Sequence, residues 1–200
     1  MTPKPPVLYS IGHSNQTIDR FLDLLERHGI EAIADVRSSP YCRYALQFSQ
    51  HNLVPELKER GIAYVFLGNE LGARRDEAEC YREGKVDFDR VAATPAFRKG
   101  LARLLQGASK MAVAILCAEK DPLTCHRTIL IARRAKDRVG EIRHILPDGN
   151  IETQAEAEQR LLAECNLDEP DLFMSGEQRL QEAYRQRAAQ LAYEDTEPDD

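Results

Sequence analysis

Five short apolar runs alternate with segments of helical periodicity, and this alternation limits the fold more than any other feature of the chain. The runs are Val7-Leu8-Tyr9-Ser10-Ile11, Ile30 to Val36, Ala63 to Leu67, Met111 to Cys117 and Ile142 to Leu146. Each is long enough for a buried strand and too short for a helix. Between the first two, Thr17 is placed as an N-cap, Ile18, Phe21, Leu22 and Leu25 recur at helical spacing, and Gly29 stands where a C′ glycine ends a helix. A second helix is expected from about Ser49 to Arg60, with Pro55 inside it. Thr94-Pro95 pairs a cap with an N1 proline and opens a helix that runs to about Gln106, with Gly107 at its end. Strands alternating with helices predict an α/β, Rossmann-like, three-layer domain around a mostly parallel five-stranded sheet.

The chemistry concentrates after the fourth run. Cys117-Ala118-Glu119-Lys120-Asp121-Pro122-Leu123-Thr124-Cys125-His126-Arg127 joins a strand end to a helix expected to begin near Thr124. Strand, turn, helix places such residues at the carboxyl edge of a parallel sheet, where ligands bind. If the first and fourth strands are neighbours, His13 and Ser14 face this loop across a crevice. The second and third strands also exit into polar residues: Asp35, Arg37 and Arg43 after one, Glu70 and Arg74 after the other.

Residues 76–93 are charged and weakly patterned, and read as a surface excursion in the position of a lid. Residues 1–150 form the α/β core in this reading. Residues 151–193 form a helical extension, with helices at about Gln154 to Cys165 and Gly176 to Ala192. Residues 194–200 form a disordered acidic tail. The charge divides along the same line. Residues 151–200 hold 14 acids and 4 bases, net −10, which leaves 19 acids and 23 bases in the remainder, net +4. A mildly basic core suits an anionic small molecule better than extended duplex DNA. The apolar runs are too short to cross a bilayer, so no membrane partner is expected. Met1 to Pro6 shows no signal-peptide pattern. Five cysteines without a regular framework predict reduced thiols and a cytoplasmic location. A monomer or homodimer is expected.

Ile11-Gly12-His13-Ser14, Asp35-Val36-Arg37-Ser38 with Pro40 and Arg43, Leu67-Gly68 through Glu70-Leu71-Gly72, and Leu116-Cys117-Ala118-Glu119 through Pro122 to Cys125-His126-Arg127 resemble the signature blocks of the domain of unknown function 488 family. The resemblance spans roughly residues 7 to 146. Cys42 stands where that pattern usually has serine, and Ala73 where it usually has a second glycine. Some relatives are linked to removal of damaged DNA bases, so the resemblance implies a nucleic-acid substrate as one function to weigh.

Taken singly, the residues divide between structural and chemical readings. Cys117 is either a small core hydrophobe or a nucleophile activated by a helix start and Arg127. Arg127 lies ten positions beyond Cys117 with no glycine between, which excludes the C-x5-R arrangement of tyrosine phosphatases. Cys125 and His126, adjacent on an expected helix, diverge by about 100° and form no direct dyad. With Cys117 and a fourth ligand they would suit zinc, but no C-x2–4-C pair is present, so neither metal nor other cofactor is expected. Arg37, Arg43, Arg74 and Arg127 suit anion recognition. Ser14, Asp35 and Cys125 join them as substrate-binding candidates. Glu119 is the preferred general base, with Glu70 as the alternative, and His13 or His126 as the proton donor. Tyr41, Tyr44 and Phe48 are either core or stacking residues.

The expected function is therefore an enzyme acting on an anionic, nucleotide-like or nucleic-acid substrate, with hydrolysis of an N-glycosidic bond fitting the acid, base and anion set. If base removal were followed by cutting at the abasic site, a lysine nucleophile would be wanted, and Lys120 alone lies within the blocks. The alternatives are a nucleotide- or anion-sensing module, and a thiol redox protein using Cys117 and Cys125, for which no C-x-x-C speaks.

Overall fold

The computed structural model describes residues 5–170 and 172–192. The expected disordered tail, 194–200, lies outside them. The elements run β1 (Val7–Gly12), α1 (Ile18–Arg27), β2 (Ala32–Asp35), α2 (Gln50–Glu59), β3 (Ala63–Phe66), α3 (Gly68–Leu71), β4 (Tyr81–Arg82), β5 (Lys85–Val86), α4 (Phe88–Ala93), α5 (Pro95–Ala108), β6 (Val113–Cys117), α6 (Arg133–Ala135), β7 (Glu141–Ile145), β8 (Ile151–Thr153), α7 (Gln154–Glu164) and α8 (Gly176–Leu191).

The main sheet has the order β3-β2-β6-β1-β7-β8. All its pairings are parallel except β7 with β8. The sixth strand, β8, exceeds the five expected. It is three residues long and follows the Pro147–Asn150 turn, too short to show a period of its own.

β6 occupies the middle and is buried along its whole length. Its residues alternate between two layers. Ala114 and Leu116, with Ile33 of β2, meet Phe21, Leu22, Leu25, Leu53 and Leu57 of α1 and α2. Val113 and Ile115, with Ala34, meet α4, α5 and the C-terminal helices through Val91, Phe97, Leu101 and Leu104. Each fully buried leucine, isoleucine or phenylalanine contributes roughly 1.5–3 kcal/mol of transfer free energy.

The capping residues act as their chemistry predicts. Thr17 Oγ1 accepts the Arg20 N–H, and Gly29 takes φ +63. Thr94 Oγ1 accepts the Phe97 N–H at 3.1 Å, and α5 runs one residue beyond Gly107. α2 accommodates Pro55 while burying Leu53 and Leu57.

The 76–93 stretch corrects its reading as a surface excursion. Cys80, Val86, Phe88 and Val91 are buried in the core beneath α5. β4 and β5 form a hairpin whose two turn residues, Glu83 and Gly84, both have positive φ. Two-residue strands leave no periodic trace, so the buried positions read as isolated. The C-terminal helices, each opened by a capping box, add Ala157, Leu161, Ala183 and Tyr184 to this same core.

The segment after β6 departs most from expectation. A 3-10 turn at Pro122–Thr124 is followed by Cys125 in extended conformation (φ −141°, ψ 142°). Only then does a helix begin, as a π-helical stretch over Arg127–Ala132 whose six residues are all buried. π-Helical turns are rare and concentrate at functional sites.

Candidate functional site at the carboxyl edge of the sheet

Because β6 lies between β1 and β2, the exits of all three strands stand side by side. Gly12 is in register with Cys117. The backbone then continues the pairing past the strand ends: His13 N donates to Cys117 O at 3.0 Å, and Ser14 N to Ala118 O at 2.8 Å. On the other side Val36 N donates to Leu116 O at 3.1 Å. Ser14 has φ +46, a left-handed conformation that is uncommon outside glycine.

Cys117, Cys125 and His126 meet at this edge. His126 Nδ1 lies 3.5 Å from Cys117 Sγ and 3.9 Å from Cys125 Sγ. The three atoms all fall within 4.8 Å of one another. His126 Nε2 is 3.0 Å from the Val36 carbonyl oxygen. A carbonyl only accepts, so Nε2 carries the proton and Nδ1 faces the sulfurs. The expected divergence of Cys125 and His126 is thereby corrected: His126 is the N-cap of the helix, Cys125 lies before it, and the extended backbone at Cys125 lets the two side chains converge.

The two thiols are unequal. The hydrogen bond to Cys125 and burial push Cys117 well above the ordinary thiol range. Burial also opposes ionisation of Cys125, but the hydrogen bond from Cys117, the charge of Arg127 and the contact with His126 outweigh it and hold Cys125 well below that range. Burial disfavours the His126 imidazolium, yet the Cys125 contact and the Val36 carbonyl raise its pKa overall. The more acidic thiol is thus Cys125 and not Cys117, the one whose position in the sequence admits a nucleophile as well as a core residue.

The arginines correct the picture of an anion clamp. Arg127 is fully buried; Nη1 donates to Glu119 O at 2.6 Å and Nη2 to Lys120 O at 3.3 Å. Nε has no partner among the described residues. Arg127 therefore locks the 118–120 loop and sets a fixed positive charge behind the thiols. Arg37 is also buried. Its Nε and Nη2 pair with the two Asp35 carboxylate oxygens at 2.9 and 2.5 Å, and its Nη1 donates to Phe48 O at 2.8 Å and Cys42 Sγ at 3.0 Å. Asp35 further accepts from the Tyr64 hydroxyl at 2.7 Å. Asp35 and Arg37 thus spend their charges on each other rather than facing an open anion site, against their expected place among the substrate-binding residues.

His13 stacks on Phe48 at 4.5 Å between ring centroids. Its Nδ1 donates to Ser14 O at 2.8 Å, leaving the Nε2 lone pair toward Cys42 Sγ at 3.5 Å and Arg37 Nη1 at 3.4 Å. Burial above all lowers its pKa to about 4, so it is neutral at neutral pH and holds no proton there to give as an imidazolium. Phe48, one of the stacking candidates, is fully buried against His13 and Phe21.

The remaining candidates spread outward. Ser14 is half-buried at the rim, and Glu119 is exposed, with its carbonyl rather than its carboxylate receiving Arg127. Glu70 turns toward α5 and is paired with Arg103. Arg74 is exposed, and its backbone N–H donates to Ser38 Oγ at 2.9 Å. Arg43 lies over the ring of Tyr44, and Tyr41, Tyr44 and Leu46 are exposed beside it. A surface depression of about 700 Å³ opens beside the loop at Lys120, Asp121 and Pro122 and is bounded by Leu146, Glu152 and Arg160.

A family model described as Domain of unknown function DUF488 matches residues 17–133. This chain belongs to the DUF488 family. The DUF488 match takes in the β2 exit, β6 and the whole Cys117–Arg127 loop, and stops short of α7 and α8. No curated protein and no solved structure matches the chain.

Three contributors escaped the sequence reading. Tyr64 looks like one more apolar strand residue, although its place on the edge strand β3 leaves its hydroxyl free to reach Asp35. Cys42 stood out only as a departure from the DUF488 pattern, and its thiol proves to join His13 to Arg37. Arg160, in α7, binds both Asp121 carboxylate oxygens at 2.8 and 3.0 Å. No local signal connects it to a loop 39 residues away.

Proposed function

We propose that this DUF488 protein is an enzyme acting on an anionic, nucleotide-like substrate at the carboxyl edge of β1, β2 and β6, with the sulfur–imidazole cluster as its reactive centre. One observation carries the reading: Cys117, Cys125 and His126 bring their reactive atoms within 4.8 Å of one another at a sheet edge where adjacent strands send their chains to opposite faces. The depression beside Lys120 and Pro122 has the volume of a small-ligand site. The exposed Tyr41, Arg43 and Tyr44 supply stacking surfaces and a cation for a base and a phosphate. N-glycosidic hydrolysis with Glu70 as the base draws less support, because Glu70 is held by Arg103, which leaves the exposed Glu119 as the base for that reaction.

The test is a panel of nucleoside mono- and diphosphates and short oligonucleotides, with product release followed by chromatography and binding by calorimetry. Turnover of at least one member should fall about 100-fold or more in Cys117→Ser, Cys125→Ser and His126→Ala, the scale expected for removal of a reacting group. Turnover surviving in all three variants, or binding without turnover across the panel, overturns the reading, the latter in favour of a sensing module.

A second reading rests on the same proximity. Cys117 and Cys125 would be oxidised to a disulfide by an external disulfide, which takes up two electrons and two protons to become two thiols. It predicts a Cys117–Cys125 linkage on mass spectrometry after treatment with oxidised glutathione, reversed by dithiothreitol.

A further inference from the structure

We infer that Cys117, Cys125 and His126 form a binding site for a thiophilic divalent metal ion of the zinc class. A tetrahedral zinc site with Zn–S near 2.3 Å and Zn–N near 2.05 Å requires S···N separations of about 3.6 Å and an S···S separation of about 3.8 Å. The separations present are 3.5 and 3.9 Å from His126 Nδ1 to the two sulfurs, and all three atoms lie within 4.8 Å. The two S···N separations match to within a few tenths of an ångström, and the sulfurs, held within 4.8 Å of each other, close on an ion by at most about 1 Å of side-chain movement.

The surroundings have the form of a metal site's supporting shell. Ligating histidines commonly donate their second ring N–H to a carbonyl or carboxylate, and His126 Nε2 does so to Val36 O at 3.0 Å. This fixes the tautomer that presents the Nδ1 lone pair to the sulfurs. The Arg127 backbone N–H points at Cys125 Sγ at 3.4 Å, a contact that stabilises a ligating thiolate. The fully buried Arg127 guanidinium adds a fixed cation. Two thiolates cancel a divalent ion, so the centre keeps the positive charge of the buried Arg127.

The ligand set is split between a strand end and a loop, and for that reason lacks the C-x2–4-C spacing of common zinc motifs. Among the described residues the group holds three ligands.

The experiment is cobalt substitution of the full-length protein, stripped by chelator and reduced, with zinc stoichiometry measured in parallel by plasma mass spectrometry. The wild-type protein should take up one Co²⁺ per chain, with thiolate-to-cobalt charge transfer in the near ultraviolet and the intense visible bands of a four-coordinate ion. Cys117→Ser and Cys125→Ser should each lose about half of the charge-transfer intensity, and Cys165→Ser should lose none. Wild-type protein that takes up no metal under reducing conditions, or whose cobalt spectrum lacks thiolate charge transfer, overturns the inference without recourse to variants. Stoichiometric metal without turnover would overturn the enzyme reading and leave the binding site.

Discussion

Gly12 and Glu119 meet through their backbones: a Cβ built on Gly12 would stand 1.8 Å from the Glu119 carbonyl oxygen and 3.0 Å from Arg127 Nη1. The obstruction is main chain, and Arg127 already holds that carbonyl in place. Gly12→Ala must therefore displace the whole 118–120 loop. We expect it to lower stability by about 3 kcal/mol, the upper end of ordinary overpacking. Gly29→Ala should lower it by about 1 kcal/mol, since Gly29 has open space and only its φ of +63 to contend with. Urea unfolding of the two variants side by side checks the ranking; equal losses would mean that the Gly12 contact relaxes freely.

Asp35→Asn leaves the buried Arg37 without its charge partner while retaining the shape of the side chain. Breaking a buried pair from one end costs about 3–5 kcal/mol. Tyr64→Phe removes only the hydroxyl that donates to Asp35 and should cost about 1 kcal/mol. Equilibrium denaturation measures both. If Asp35→Asn proves as mild as Tyr64→Phe, the ion pair is not what holds the β2 exit.

His144 is fully buried between Ser10 and Gln154, with Ser10 Oγ 2.7 Å from Nδ1 and Gln154 Oε1 3.0 Å from Nε2. Burial first, then the charge of Arg127, lowers its pKa to about 4. The unfolded chain, near 6.5, binds this proton more readily than the folded one, so stability rises with pH across the interval. The contribution is fully present above about pH 6.5 and is lost as pH falls toward 4, by roughly 3 kcal/mol. His13, also near 4, adds a term of the same sign. His144→Gln should flatten the slope in a series of urea titrations between pH 7 and 4, and an unchanged slope would assign the dependence to other groups.

Arg160 joins Asp121 to Glu152 and Glu164 from a half-exposed position. Surface ion pairs contribute little, so Arg160→Ala should change global stability by no more than about 1 kcal/mol. Its effect belongs to the loop. Alkylation of Cys125 by iodoacetamide, read by mass spectrometry, should accelerate several-fold relative to Cys165 in the same chain. Uniform rates in variant and wild type would show that the loop stands without Arg160.

Much of the scaffold could be read from residue types alone. β1 and β6 declare themselves as apolar runs, Thr17 and Thr94 as caps, and the Cys117–Arg127 stretch as a strand exit. What stayed hidden depended on short-range geometry or on distant partners. Cys125 and His126 converge only because the helix starts at Arg127, two or three residues later than the Thr124-Cys125 pattern suggests, and no propensity distinguishes those registers. Arg37 reads as an anion ligand until Asp35, two residues before it, folds back to take its charge. The core positions Val86 and Val91 sit among charges in a hairpin and a short helix, where neither a period of 2 nor of 3.6 has room to develop. Tyr64 and Arg160 reach their partners across the sheet and from the far end of the chain.

Arg160 has a consequence for how the molecule can be divided. The acidic C-terminal segment reads as an addition to a complete α/β unit, yet its first helix supplies the cation that braces Asp121, at the mouth of the 700 Å³ depression. A ligand that claims Asp121 must contend with Arg160, and a partner that shifts α7 pulls on the same carboxylate. The first terminal helix and the loop that leaves β6 are thereby tied together through a single guanidinium.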